Sequence, residues 1–443
     1  MQLPRVFFGM IAILSCLAYG SDMANGQSAA LKKAAKQSAE YYQQGQFSEA
    51  LPFASEAVRL AEKELGADHP ATATLITNLA ALKVQQGNYA EAEPLFRRAL
   101  AISERAFGSE HPSVAAVLFR LAWLYNAQSN FAEAEPLLQR SLAIFEKAFG
   151  SEHPSVAESL NGLAVLYQAQ GNYAEAEPLY RRSLEIREST LGPMHPNVAT
   201  TLNNLGALHQ IQGNYAEAGP LLQRSLEIRE QALGPEHPDV ANSLNNLGSF
   251  HQIQGNYAEA EPLYQRSLVI REKALGPEHP DVAESLNNLA DLYYDRGSCA
   301  AAKPLFGRSL SILENTLGPE HPRVAKSLGN LAKLYNAEGD HAEAEPLYRR
   351  SLELLDKALG PDHHDVATAL HNLAGLYEAQ EKYAEAEPLF RRALAIDELT
   401  FGQEHPEVAI TLDRYAILLR ATGQPDKAAE MEARAQAIRA KYE

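Results

Sequence analysis

Only two cysteines, Cys16 and Cys299, occur in 443 residues. Cys16 lies in a segment expected to be removed or lipidated, so Cys299 has no intramolecular partner and there is no disulfide framework. Cations are in short supply too: 39 Lys and Arg against 56 Asp and Glu leave a net charge of −17. That balance excludes nucleic acid, whose phosphates demand a basic face, and disfavours docking on anionic lipid. β-Branched residues are scarce, while Ala, Leu, Glu, Gln and Arg dominate, which biases the chain towards helix. There is no Gly-rich phosphate loop, no HExxH and no GxSxG, and the carboxylates recur as AEAEP and EIRE, the mark of a solvated helix face. No enzyme activity, cofactor or metal is expected.

Long apolar runs are missing as well. The longest, Val6 to Ala18, has 13 residues, short of the ~20 that a spanning helix needs. Arg5 before it and the small residues Ala18 and Gly20 after it make residues 1–26 an export signal, cleaved near 20 or 26. An alternative is lipidation at Cys16 within Ile13-Leu14-Ser15-Cys16, which would make the protein an anchored lipoprotein. The expected location is the periplasm or cell envelope, with membrane contact only through that N-terminal lipid.

A chain of this length exceeds one compact core, which stops growing near ~250–300 residues. The solution is repetition. His69, His111, His153, His195, His237, His279, His321, His363 and His405 recur every 42 residues, and eight of the nine precede proline; His364 is the exception. Residues 201–242 and 243–284 agree at 34 of 42 positions. Within one unit two helical stripes alternate. Val240, Leu244, Leu247 and Phe250 lie at spacings of three and four behind Pro238, a first-turn proline. Leu263, Leu268, Ile270 and Leu275 form the second stripe, with Asn256 and Glu259 predicted to form a capping box and Gly276 to end the helix. Pro262 predicts a local irregularity. Neither stripe can be buried alone, so units must stack into a solenoid.

The series Leu244…Leu247-Gly248…His251…Tyr257…Ala260…Ser267 resembles the tetratricopeptide consensus of small and large packing positions. The 42-residue period with LNNL, GNYAEAEPLYQRSL and ALGPEHPDVA is similar to the kinesin light chain subfamily of these repeats. The resemblance implies an all-α, right-handed superhelical solenoid of about ten helix-turn-helix repeats, at about 28–65, 70–107, 112–149, 154–191, 196–233, 238–275, 280–317, 322–359, 364–401 and 406–442. It further implies that the first helices line a concave groove in which extended peptides or partner helices bind. The partners are then other proteins. An alternative role is an accessory subunit of an exported enzyme or secretion complex, using the convex face.

In such repeats the residue before the Leu-small pair of the first helix faces the groove. Asn78, Asn204, Asn246, Asn288, Asn330 and Asn372 hold that place, interrupted by Arg120, Gly162 and Arg414. Asn203, Asn245 and Asn287 stand one residue earlier, as does Asn161. Amides both donate and accept, so a ladder of them suits peptide main chain. The competing role is that they bridge helices inside the fold. Gln168, Gln210, Gln252, Glu158, Glu284, Asp291 and Asp295 complete the groove, with cations only at Lys326 and Lys333 and aromatic anchors at Phe119, Trp123 and Tyr294. The histidine ladder cannot hold a metal, because stacked units lie ~8–10 Å apart; His363, His364 and His371 are the nearest thing to a fortuitous cluster.

Overall fold

The computed structural model describes residues 28–441. Among these there are twenty helices and no strand. In chain order they are α1 (Ala29–Gln43), α2 (Phe47–Glu64), α3 (Pro70–Gln85), α4 (Tyr89–Phe107), α5 (Pro112–Ala127), α6 (Phe131–Phe149), α7 (Pro154–Ala169), α8 (Tyr173–Leu191), α9 (Pro196–Ile211) and α10 (Tyr215–Leu233). They continue with α11 (Pro238–Ile253), α12 (Tyr257–Leu275), α13 (Pro280–Asp295), α14 (Cys299–Leu317), α15 (Pro322–Glu338), α16 (His341–Leu359), α17 (His364–Ala379), α18 (Tyr383–Phe401), α19 (Pro406–Ala421) and α20 (Pro425–Arg439). Odd and even helices pair as ten repeats. The chain divides into two compact units at Val282/Ala283, within α13.

The recurrent histidine explains each odd-numbered start. His195 has extended backbone, φ −76° and ψ 140°, and its Nδ1 accepts the Asn197 N–H at 3.1 Å. His69, His111, His153, His237, His279, His321, His363 and His405 do the same at 3.0–3.2 Å. Imidazole thus takes the role usually given to Ser or Asp, satisfying one of the orphan donors of the first turn. Where an aromatic residue ends the preceding helix, it stacks on that imidazole: Phe107 on His111, Phe149 on His153 and Phe401 on His405, at 4.3–4.5 Å between centroids.

Two local expectations fail at the even-numbered helices. Asn256 makes no side-chain cap; its ψ of 63° is not the extended value that would place the amide over the first turn. Nor does Pro262 interrupt α12, which runs unbroken from Tyr257 to Leu275. The proline sits early in the helix on its exposed side, as does Ala258, whose carbonyl loses the bond, so water can replace it.

Successive helices feed the core clusters, three of them in the recurrent case. Val156, Ala157 and Leu160 of α7 meet Ile186 of α8, with Leu142 and Phe145 of α6 packed against them. Val198, Ala199, Leu202 and Ile228 repeat this with Leu184. In the second unit Val408, Ala409 and Leu412 of α19 meet Ala435 and Ile438 of α20, over Leu394 of α18. A buried hydroxyl ties the helices of a repeat together: Ser183 donates to the Ala157 carbonyl at 2.7 Å, Ser225 to Ala199 at 2.8 Å and Ser351 to Ala325 at 2.7 Å.

Within each unit an ion pair on the even-numbered helices links a repeat to the one before it. Arg140–Glu104, Arg182–Glu146, Arg224–Glu188 and Arg266–Glu230 close at 2.6–2.8 Å in the first unit. Arg350–Glu314, Arg392–Asp356 and Arg434–Glu398 close at 2.5–2.7 Å in the second. Several of these arginines also donate to a loop carbonyl, as Arg140 does to Ser109 at 3.0 Å and Arg392 to Pro361 at 3.1 Å. Each pair is partly exposed and contributes no more than about 1 kcal/mol; its regularity fixes register more than stability. No helix among the described residues is long and apolar enough to cross a membrane.

Candidate functional site

The odd-numbered helices carry the asparagines, and the structure pairs four of them with one another. Asn204 Nδ2 donates to Asn161 Oδ1 at 3.2 Å, and Asn246 Nδ2 to Asn203 Oδ1 at 2.8 Å. The second amide of one repeat therefore reaches the first amide of the repeat before it. Asn161, Asn203, Asn204 and Asn245 are buried, with 3–7% exposure. Asn78, Asn246, Asn287, Asn288, Asn330 and Asn372 are half-buried.

The same slot is filled differently elsewhere. Between α5 and α7 it holds the Phe119 ring, against bare Gly162: a Cβ there would lie 2.7 Å from Phe119 Cε2. Trp123 meets Phe119 edge-on at 6.1 Å. In the second unit Asn287 and Asn330 occupy the slot but do not bond; Asn287 Oδ1 and Asn330 Nδ2 are buried without a hydrogen-bond partner. One acceptor and one donor thus remain open on this stripe.

Other polar residues of the stripe are engaged locally. Gln168 accepts the Tyr180 hydroxyl at 2.8 Å, Gln252 accepts that of Tyr264 at 2.8 Å, and Gln210 reaches Ser249 at 3.4 Å. Lys333 lies 4.0 Å from Asp291 and 4.2 Å from the Tyr294 ring centroid. Burial pushes the Asp291 carboxyl up to about 6, against the pull of Lys333. Burial likewise drives the His371 imidazole down to about 4, with Arg414 adding to the effect.

Sequence reasoning missed the buried arginines. Arg187, Arg229 and Arg271 on the even-numbered helices are 1–7% exposed. Arg187 Nη1 donates to the Asn197 carbonyl at 2.8 Å and to Thr201 Oγ1 at 2.9 Å. Arg229 repeats this with Ser243 Oγ at 2.8 Å and adds Thr200 at 3.2 Å, while Arg271 donates to Asn242 Oδ1 at 2.7 Å. Burial pulls the Arg187 guanidinium down to about 10. The signal was available: Arg187 and Arg229 face Thr201 and Ser243, each fourteen residues on, a register that alternation of stripes does not reveal.

The histidine grouping also differs from expectation. His363, His364 and Asp365, not His371, bring ligand atoms within 4.8 Å of one another. His363 Nδ1 is committed to the Asp365 N–H at 3.0 Å, so its lone pair caps α17. Cys299 is a free, half-buried thiol. The export signal and Cys16 lie outside the described residues.

No curated protein matches the chain. Among solved structures, the nearly identical TPR-like repeats of a kinesin light chain from Podosopora anserina are 32% identical, covering 46% of this chain and 98% of that one with a TM-score of 0.39. BtubC (BKLC) from P. vanneervenii is 26% identical over 56% of this chain and 94% of its own, at a TM-score of 0.42. A Rap protein complexed with competence and sporulation factor is 14% identical, covers 84% of this chain and 98% of its own, and reaches a TM-score of 0.56, which is a likeness of fold. The tetratricopeptide repeat profile matches residues 38–102, 72–147, 124–189, 197–249, 239–315, 293–357, 323–398 and 365–441. From the first repeat to the last, this chain belongs to the tetratricopeptide repeat family.

Proposed function

We propose that the protein is a non-enzymatic scaffold that holds extended segments or helices of partner proteins along the asparagine stripe of its odd-numbered helices. The unsatisfied pair Asn287 and Asn330 carries this reading. A buried amide oxygen and a buried amide nitrogen without partners are each costly, by about 1–3 kcal/mol. Both side chains are half-buried, and turning outward would let a ligand's main chain donate to Asn287 Oδ1 and accept from Asn330 Nδ2. Asn288 and Asn372 are half-buried and extend the same surface in the second unit, and Asn78 is half-buried in the first. Asn203, Asn204 and Asn246 contribute mainly by keeping neighbouring repeats in register, with Asn246 also half-buried at the surface and Asn245 buried beside it.

The proposal includes export through the N-terminal signal. Mature protein should begin at Ser21 or Gln27, or carry a blocked, lipidated Cys16; retention of Met1 refutes export. For binding, the mature protein is used to capture partners from its own envelope fraction. Asn287→Ala with Asn330→Ala should keep the fold and lose the captured partner. If that double variant captures as the wild type does, the stripe is not the binding surface.

A further inference from the structure

The position that holds Arg187, Arg229 and Arg271 in three repeats, and Leu313 and Leu355 in two others, holds Asp397 in the ninth. Asp397 is 5% exposed, on α18 beneath the first turns of α19. Its Oδ2 lies 2.6 Å from Thr411 Oγ1, and the same hydroxyl oxygen lies 3.2 Å from the Glu407 carbonyl. The hydroxyl's one proton goes to the nearer acceptor, the Asp397 carboxyl, while the Glu407 carbonyl is the helix's own i−4 acceptor.

The related repeats show how this network closes. Thr201 Oγ1 accepts from Arg187 Nη1 at 2.9 Å and faces the Asn197 carbonyl at 3.4 Å, four residues back. Ser243 Oγ accepts from Arg229 Nη1 at 2.8 Å. In those repeats the buried hydroxyl receives a hydrogen bond from a cation of the preceding repeat. At Thr411 that cation is replaced by an acid: the hydroxyl donates to Asp397, which brings no positive charge to the place. Glu398 on its own helix and Glu407 on α19 face the same carboxyl. Among the described residues no Lys, Arg or His lies within ion-pair distance of Asp397, and Arg434 of α20 is engaged with Glu398.

We propose that Asp397 makes the docking of the tenth repeat depend on a proton: the neutral carboxyl is tolerated beneath α19, and the carboxylate, buried beside Glu398 and Glu407 with no cation to pair it, opens the junction. Opening would uncover Leu394 and Phe390, now packed against Val408, Leu412 and Leu418. The end of the array would then expose an apolar face above neutral pH and cover it below.

Burial pushes the Asp397 carboxyl up to about 7, with Glu407 and Glu398 adding to the rise and Thr411 opposing it. Docking is therefore tightest in acid, weakens as pH rises towards 7, and levels off above it. With an open-state value near ~3.9, the docked fraction relative to open should fall roughly fiftyfold between pH 5 and pH 7.

Amide exchange of α19 and α20 in the full chain, corrected for intrinsic rate, measures this opening. Wild type is compared with Asp397→Asn, which keeps the shape and an oxygen to accept from Thr411 without the charge, and with Asp397→Leu, the residue found at 313 and 355. His405 caps α19 in all three, so its own titration cancels in the ratio. The expected result is that wild-type protection falls by that factor relative to Asp397→Asn between pH 5 and 7, while the leucine variant tracks the asparagine variant. Parallel pH profiles for wild type and either variant overturn the proposal.

Discussion

Replacing His195 by alanine tests the unusual cap that opens every odd-numbered helix from α3 onward. The imidazole Nδ1 accepts the Asn197 N–H at 3.1 Å, and no aromatic residue stacks on it, since Leu191 ends α8. His195→Ala should therefore cost what an N-cap costs, about 1 kcal/mol with a range of 0.5–2. His195→Asn should recover most of this, because a short amide oxygen reaches the same donor. At His153 the asparagine substitution should do less well. There the cap also carries Phe149 at 4.3 Å, and losing that stack should leave a deficit of about 0.5–1.5 kcal/mol. Urea denaturation of the full chain gives the totals, and exchange of the Asn197 amide reports the bond directly. If His195→Ala falls within the ±0.5 kcal/mol of an ordinary surface change, the capping role is wrong. It is equally wrong if asparagine restores nothing.

Two further outcomes are expected. Gly248→Ala would place a Cβ 2.8 Å from the buried Tyr264 ring and should destabilise by about 1–3 kcal/mol, whereas Gly307→Ala, with no atom within 4 Å, should stabilise by about 0.5–1 kcal/mol; urea midpoints moving together would contradict the packing. His371, held at about 4 in the fold against 6.5 ordinarily, stabilises fully above pH 6.5 and loses that contribution as pH falls towards 4, by up to about 3 kcal/mol. His371→Asn, the residue at the equivalent 203, 245 and 287, should remove that part of the acid sensitivity, and equal losses at pH 4.5 in both proteins would refute it.

The sequence was most legible where one residue type recurs alone. The period, the proline starts and the Leu and Val stripes led directly to helices such as α11, Pro238–Ile253. It was least legible where the decisive partner lies in the adjacent repeat. Asn204 and Asn246 look alike and exposed when one unit is considered, yet each bonds an amide 43 residues earlier. Arg187 reads as a solvated charge in EIRE, but the turn of α8 points it under α9. Asn256 has the familiar capping chemistry, but its backbone torsion, which composition does not encode, leaves α12 without a side-chain cap, while His237 caps α11.

The arginine–carboxylate links have a consequence for how such a chain can change over generations. Arg182 finds Glu146 and Arg224 finds Glu188 by the same 36-residue step, so a copied segment meets partners wherever it lands. Residues 201–242 and 243–284 agree at 34 of 42 positions, close enough for the encoding DNA to mispair. Unequal exchange would then insert or excise whole periods, and the product would arrive with its joints already fitting. Length in this protein is a quantity that inheritance can adjust one period at a time, while the chemistry of each joint stays the same.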